Sequence, residues 1–397
     1  MRAIGLMSGT SLDGIDAALV DVVPKGSGYA LELLHFATQA FEPALYSRLR
    51  AALPPNVPSP AHVASLDREL GACFAEAAAT VAAGAPVDYV ASHGLTLYHD
   101  GAANVTAQIG DPYAIRDRVG ASVVFDFRRA DCAAGGNGAP LVPYVDALLF
   151  ASSERDVVAL NLGGIANVTV LARGAPHAAA LAWDTGPGNM LLDAFVERRT
   201  GGAERFDRDG AYASRGTVDE RAVAELVARE AFYLMLPPPK STGRERFGTQ
   251  LLDAHAGLFE GLSLEDGCAT LAAFTAATIA ESLGHYAPAG ARVVASGGGT
   301  RNRFLMRRLA ERVSPGGGEL VTSQSYGIDP DAKEAIAFAV LGYETLRGRP
   351  ANVPRATGAS RLAVLGAIVP HGLDAMLAKL GAETRKRGAS QPRTESR

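Results

Sequence analysis

Cysteine is scarce. Cys73, Cys132 and Cys268 are the only three in 397 residues, odd in number, widely spaced and without a CxxC pair. That excludes a disulfide framework and points to reduced thiols in a cytoplasmic protein. Long apolar runs are also missing. The opening stretch Met1-Arg2-Ala3-Ile4-Gly5-Leu6-Met7-Ser8-Gly9 breaks after a few apolar residues, so neither a secretory signal nor a membrane span of about 20 residues is expected there. There is no excess of one charge. With 38 basic and 42 acidic side chains the formal charge is −4, which builds in no general attraction to nucleic acid or to an anionic membrane. Small molecules are therefore the expected partners. No glycine-rich GxxxxGK[ST] run leads into Lys240-Ser241-Thr242, and no HRD or DFG set occurs. A Walker loop and a protein-kinase catalytic loop are both excluded.

What is present is the pattern of a soluble α/β protein, with 48% hydrophobic and 20% charged residues and enough length for two domains. A strand is expected over Ala3 to Met7, then the turn Ser8 to Gly14, then a return strand from Ile15 to Val23. Residues 157 to 171 repeat that plan, with Val157 to Leu160, the turn Asn161 to Gly164 and a return through Ile165 to Leu171. Two such hairpins suggest duplicated halves. A proline-rich loop at Pro54 to Pro60 leads into a helix expected over His62 to Ala83, where Val63, Leu66, Leu70, Phe74 and Ala77 keep helical spacing. Strands at Val87 to Ser92 and Ala121 to Phe125 would place His93 and Asp126-Phe127-Arg128 at strand carboxyl ends, where open α/β sheets bind ligands. Beyond Gly372 a short helix and then a polar, mobile tail over 373–397 are expected.

Four short turns rich in glycine, hydroxyl and carboxylate groups lie at Gly9 to Asp16, Leu160 to Asn167, Asp184 to Asn189 and Ser296 to Asn302. Small residues let main-chain N–H groups approach phosphate oxygens, so such turns can cradle a polyphosphate without a lysine-bearing loop. One such turn is ordinary structure. Four flanked by apolar strands point to a nucleotide site, and the arrangement resembles that of the actin, heat-shock-70 and sugar-kinase superfamily.

Longer strings narrow the resemblance. MSGTSLDGID (Met7 to Asp16), DFRRADCAAGG (Asp126 to Gly136), GAPLVP (Gly138 to Pro143), NLGGIAN (Asn161 to Asn167), WDTGPGNMLLD (Trp183 to Asp193), PKSTGRERF (Pro239 to Phe247) and SGGGTRN (Ser296 to Asn302) resemble, in order, the anhydro-N-acetylmuramic acid kinase family. The resemblance covers roughly residues 1 to 370. It implies a two-lobed actin-like, ribonuclease H-like sugar-kinase fold with duplicated halves and a central ATP cleft. The lobes would be residues 1–145 and 146–372, with the last helix a candidate to return to the first. It also implies ATP and Mg²⁺ as cofactors, an anhydro sugar as substrate and a homodimer.

The implied reaction adds water at C1 of a 1,6-anhydro sugar while the γ-phosphoryl group moves to O6. An inverting glycosidase needs a base for water and an acid for the departing oxygen. Here an in-line γ-phosphate would capture O6, so one carboxylate suffices. The resemblance assigns that role to Asp184, followed by the rigid turn Thr185-Gly186-Pro187-Gly188, with Asn189 read as the cap of the next helix. Gly186, Gly188 and Asn189 join His93, Thr96, Arg128 and Asp131 as sugar candidates. Arg128 would pair with the lactyl carboxylate of a muramic acid, and an Arg128–Asp131 structural ion pair is the alternative. Gly9, Thr10, Ser11, Leu12, Asp13, Gly14, Ile15 and Asp16 would form the phosphate loop, joined by Gly163 and Gly164. Gly297, Gly298, Gly299 and Asn302 would hold adenosine. Many superfamily members carry an Asp where Met7 stands, so the metal ligand is open, with Asp13 and Asp16 as substitutes. Two departures bear on the sugar, Leu95 and Asn137, where the family usually has Gln. A glutamine lost at Leu95 would leave a sugar group unpaired if that side chain faced the pocket. The alternatives are a kinase for a simpler anhydro sugar such as levoglucosan and a non-catalytic nucleotide sensor.

Overall fold

The computed structural model describes residues 1–9, 12–25, 28–54 and 56–390. The chain divides into two compact units, one of residues 1–134, 335–351 and 362–397 and one of residues 135–334 and 352–361. Each is built on a mixed sheet.

In the first unit, β1 (Arg2–Ser8) pairs antiparallel with β2 (Ile15–Lys25), which pairs antiparallel with β3 (Gly28–Gln39). On its other side β1 runs parallel to β4 (Tyr89–Asp100), and β4 runs parallel to β6 (Ser122–Phe125). β5 (Val105–Ile109) folds back on the far end of β4. In the second unit the order repeats. β7 (Val157–Leu162) pairs antiparallel with β8 (Ile165–Leu171), β8 with β9 (Leu181–Pro187), and β7 runs parallel to β10 (Arg292–Ser296), which neighbours β11 (Glu319–Thr322). Sheet orders β6-β4-β1-β2-β3 and β11-β10-β7-β8-β9 correspond strand for strand. This is the ribonuclease H-like topology twice over, so the expected duplication is present. In the first unit β12 (Ala367–Val369) adds an antiparallel edge to β6.

Each sheet buries its face under helices whose apolar spacing is legible in the sequence. In the first unit Leu66, Leu70 and Phe74 of the helix Pro60–Ala82 pack with Ile4, Leu6 and Ile15, all fully buried. Burial of each such side chain contributes about 1.5–3 kcal/mol. Ser59 caps that helix by accepting from the His62 N–H at 3.2 Å, and Pro60 sits at its first position, where a missing N–H costs nothing. The helix Lys333–Leu346 crosses β1 so closely that a Cβ on Gly5 would lie 1.7 Å from the Ala335 carbonyl oxygen. In the second unit Leu271 and Phe274 of the helix Leu264–Tyr286 pack with Leu160, Leu162 and Trp183. A buried ion pair also sits there: Lys333 Nζ lies 2.9 Å from Asp146, whose other oxygen accepts from Thr169 Oγ1 at 2.8 Å.

Two expectations need correcting. β4 does not end at Ser92 but continues to Asp100, because β5 supplies a second partner from Leu95 onward in the register Leu95↔Ile109. His93 therefore lies inside a strand rather than at its carboxyl end. The segment after Gly372, expected as a short helix and a mobile tail, is helical from Leu373 to Ser390. Lys379 Nζ reaches both Asp88 carboxylate oxygens at 2.7 Å, and Glu383 accepts from Tyr343 Oη at 2.7 Å. Residues 391–397 lie outside the described ones.

Candidate active site

In the first unit the β1–β2 turn holds the residues expected to form the phosphate loop. Thr10 and Ser11 lie outside the described residues. The Leu12 N–H donates to the Gly9 carbonyl at 3.0 Å, and Ser8 Oγ donates to the Gly14 carbonyl at 2.8 Å, which closes the turn. Gly14 is required: at φ 155° its Cβ would meet the Gln39 carbonyl oxygen at 2.6 Å. Leu12 and Ile15 bury their side chains in the core, leaving only their main chain to meet a ligand. Asp13 is exposed, and Asp16 accepts from Thr38 Oγ1 at 2.6 Å.

The β1–β4 pairing brings Leu95 beside Ser8, so the sugar candidates on β4 neighbour that turn. His93 is buried, its ring tilted against Phe338 with centroids 4.7 Å apart. Arg128 Nε donates to His93 Nε2 at 2.9 Å. Only a lone pair can accept there, so the proton sits on Nδ1, which lies 2.9 Å from the Gly94 carbonyl and donates to it. Burial, and secondarily the Arg128 charge, hold His93 well below its ordinary pKa, consistent with a neutral ring. Arg128 stands in the helix Phe127–Ala133, and Asp131 in the same helix is fully buried. Thr96 Oγ1 accepts from Gln108 Nε2 at 3.2 Å. Leu95 is fully buried in the apolar core, so its side chain does not face a polar pocket and the concern over a lost glutamine falls away. Asn137, in the second unit, donates its main-chain N–H to the Thr357 carbonyl at 2.7 Å.

The second unit gathers three of the four turns. The Gly188 N–H donates to the Gly164 carbonyl at 2.9 Å and the Asn189 N–H to the Gly163 carbonyl at 2.8 Å. A Cβ on Gly188 would lie 2.2 Å from that Gly163 oxygen, and one on Gly299 would lie 2.7 Å from Leu162 Cβ. The turns meet main chain to main chain. Gly186, at φ 147°, lies against Thr278, and Gly297, at φ 85°, against Asn161. Gly298 is exposed, with open space where a side chain would go. Asn302 is buried and caps the helix Arg303–Val313, its Oδ1 accepting from the Leu305 N–H at 3.0 Å. Asn189 precedes the helix Met190–Arg199 without capping it. Its amide donates instead to the Leu162 carbonyl at 3.3 Å, which ties this turn to the glycine pair and corrects the capping expectation.

Asp184, half-buried on β9, is gripped from three sides. Its N–H donates to the Lys240 carbonyl at 3.1 Å, its carbonyl accepts from Tyr233 Oη at 2.8 Å, and its Oδ2 accepts from the Thr242 N–H at 2.9 Å. A carboxylate held this way is fixed in direction, as a base acting on one water must be. Lys240 Nζ donates to the Tyr233 and Leu234 carbonyls, both at 2.9 Å, and lies 4.7 Å from the Tyr233 ring centroid. Burial brings its pKa down to about 8, and Asp184 opposes that shift. Tyr233, Lys240 and Thr242 were not among the site residues expected from the sequence. The string PKSTGRERF was the available signal, but only the fold shows that it closes over Asp184.

Among the described residues no group of three or more His, Cys, Asp or Glu side chains could hold a metal. Magnesium that arrives with nucleotide phosphates needs only one or two protein oxygens. Asn161 Oδ1 is buried without a hydrogen-bond partner, and the same side chain donates to Glu334 Oε1 at 3.2 Å. The amide nitrogen is the atom that faces the carboxylate, and the amide oxygen has no protein donor, so the two residues offer hard oxygens of the kind magnesium takes.

The chain is 43% identical to an anhydro-N-acetylmuramic acid kinase of Streptomyces coelicolor over 376 residues, 93% of this chain and 94% of that one. The corresponding protein of Streptomyces avermitilis is 45% identical over 377 residues, again 93% and 94% of the two chains. That of Xanthomonas campestris pv. campestris is 43% identical over 376 residues, 92% and 97%. The model of the family described as anhydro-N-acetylmuramic acid kinase matches residues 1–371, and the chain belongs to that family.

Proposed function

We propose that this chain hydrolyses the 1,6-anhydro ring of 1,6-anhydro-N-acetylmuramic acid and phosphorylates O6 with ATP, yielding N-acetylmuramic acid 6-phosphate and ADP in peptidoglycan recycling. The observation that carries the reading is the three-sided grip on Asp184 in a chain that matches the family from residue 1 to 371. Asp184 takes a proton from water, and the resulting hydroxyl bonds to C1. The C1–O6 bond breaks, and O6 takes the γ-phosphoryl group as ADP departs. Capture by phosphorus removes the need for a second carboxylate.

The β1–β2 turn, from Gly9 to Asp16, and the Gly163–Gly164 turn receive phosphates through main-chain N–H groups. The Gly297 to Gly299 turn receives adenosine. Asn161 and Glu334 are the residues we assign to magnesium, which neutralises phosphate charge when bound. Arg128, oriented by neutral His93, meets the lactyl carboxylate, with Thr96, Asp131, Gly186, Gly188 and Asn189 lining the sugar site. The working form is a cytoplasmic homodimer. A simpler anhydro sugar such as levoglucosan is the competing substrate, but it has no carboxylate for Arg128.

The test is a coupled assay of ADP release with and without anhydro-N-acetylmuramic acid. ADP release should require the sugar, and Asp184→Asn should bind ATP yet lose turnover by about 10²- to 10⁴-fold, the usual worth of general base catalysis. Faster turnover of levoglucosan at equal concentration would reassign the substrate. Unchanged turnover in the Asn variant would end the proposed role of Asp184.

A further inference from the structure

Lys240 is a half-buried ammonium beside the proposed base, and the protein's own contacts account for its position. Two of its three donors have fixed work, reaching the carbonyls of Tyr233 and Leu234 at 2.9 Å each. Those carbonyls end the helix Glu220–Leu234, where the helix dipole presents partial negative charge and favours a cation. The ammonium also lies over the rings of Tyr233 and Tyr286, at 4.7 and 5.7 Å from their centroids. The backbone of the same residue accepts the Asp184 N–H, and two residues on, the Thr242 N–H donates to Asp184 Oδ2. Tyr233, whose carbonyl anchors the ammonium, itself donates to the Asp184 carbonyl at 2.8 Å.

We propose that Lys240 is a positioning residue for Asp184: its ammonium pins the 240–242 segment to the end of the helix Glu220–Leu234, and that segment sets the direction of the carboxylate. The inference rests on the reading of Asp184 as the base. Two of the three anchors of the grip depend on Lys240, one through its carbonyl and one through the course of the chain to Thr242. Loss of the charged head group frees the segment without removing any group that touches substrate.

The charge state of Lys240 supplies a signature that plain structural support would lack. Burial brings its pKa down to about 8, with Asp184 acting the other way. Asp184 is the charge that acts on it; on the Tyr233 ring that the ammonium also covers lies Arg246, 5.1 Å from the centroid and paired with Glu230 at 2.7 Å. From the helix Leu264–Tyr286 comes Tyr286, whose ring the ammonium also covers and whose hydroxyl donates to the Met235 carbonyl, and the neighbouring His285 meets Glu281 on its own helix. Because a neutral amine makes weaker bonds to carbonyls than an ammonium, the grip is complete below pH of about 8 and loosens above it.

The experiment measures kcat and KM for the anhydro sugar from pH 6 to 10 in wild type, Lys240→Met, Lys240→Arg and Asp184→Asn, with ATP affinity and thermal unfolding as controls on folding. Wild type should lose kcat along a limb near pH 8. Lys240→Met should lower kcat by about 10- to 100-fold, the cost of displacing a catalytic group by an ångström or so, with little change in KM and no limb. Lys240→Arg, which keeps its charge to pH above about 12, should restore most of kcat at pH 7 and carry the limb upward. A folded Lys240→Met enzyme with wild-type kcat would overturn the inference, as would a limb that stays near pH 8 in Lys240→Arg. The Arg profile decides the matter even if the Met variant does not fold. Turnover retained in Asp184→Asn would instead remove the base, whatever the lysine variants do.

Discussion

Asp146→Ala isolates the energetics of the second unit from its chemistry. The Asp146 carboxylate meets Lys333 Nζ at 2.9 Å with side chains 5% and 2% exposed, and its second oxygen takes the Thr169 hydroxyl at 2.8 Å. Truncation leaves an ammonium in the interior without its counter-charge and a hydroxyl without its acceptor. Breaking one side of such a pair costs about 3–5 kcal/mol, a large share of a total stability of about 5–15 kcal/mol. For a unit of this size each kcal/mol is worth about 2–4 °C, so the midpoint should fall by roughly 6 to 20 °C. Trp183 is the only tryptophan, 1% exposed and inside this unit, so its fluorescence follows the unfolding directly. Urea titration of wild type, Asp146→Ala, Lys333→Met and the double variant Asp146→Leu/Lys333→Met completes the design. The double variant should recover most of the loss, since apolar groups of similar volume replace a buried pair at little cost or with gain. A loss below about 1 kcal/mol in Asp146→Ala, or a double variant as unstable as the singles added together, would refute this reasoning.

The glycine turns and His93 give further tests. Gly188→Ala would place a Cβ 2.2 Å from the Gly163 carbonyl oxygen; the turn after Asp184 must shift, and kcat should fall by about 10- to 100-fold in a steady-state assay. Gly298→Ala, where a Cβ meets open space, should leave the unfolding midpoint within about 0.5 kcal/mol of wild type while raising KM for ATP. His93 is held well below its ordinary 6.5 by burial and then by Arg128. The unfolded chain therefore binds a proton that the native chain does not, and stability falls as pH drops below 6.5. His93→Asn should flatten the stability–pH profile between pH 7 and 5 by up to about 1.4 kcal/mol per pH unit; an unchanged slope would show that His93 titrates normally.

The duplicated hairpins were legible in the sequence because each is local: an apolar strand, a glycine turn and an apolar return, with Met7↔Asp16 and Leu162↔Ala166 closing them. The helix Pro60–Ala82 was legible for the same reason, from the spacing of Leu66, Leu70 and Phe74. What depends on distant pairing was not. β4 runs on past His93 only because β5 arrives to pair with it. Asn189 looks like a cap until the Leu162 carbonyl, 27 positions away, claims its amide. The Lys379 and Glu383 contacts that tether the helix Leu373–Ser390 reach Asp88 and Tyr343. Asp184 could be picked out from its string, but the hand that holds it comes from residues 233 to 242, some 49 to 58 positions on.

The most direct measurement of the central claim is the fate of oxygen from solvent. Turnover in H₂¹⁸O should place one labelled oxygen on C1 of the product and none in the phosphate ester at O6, and Asp184→Asn should abolish the labelled product together with ADP release. Product formed at the wild-type rate without solvent oxygen at C1, or label found in the bridging ester, would contradict the account.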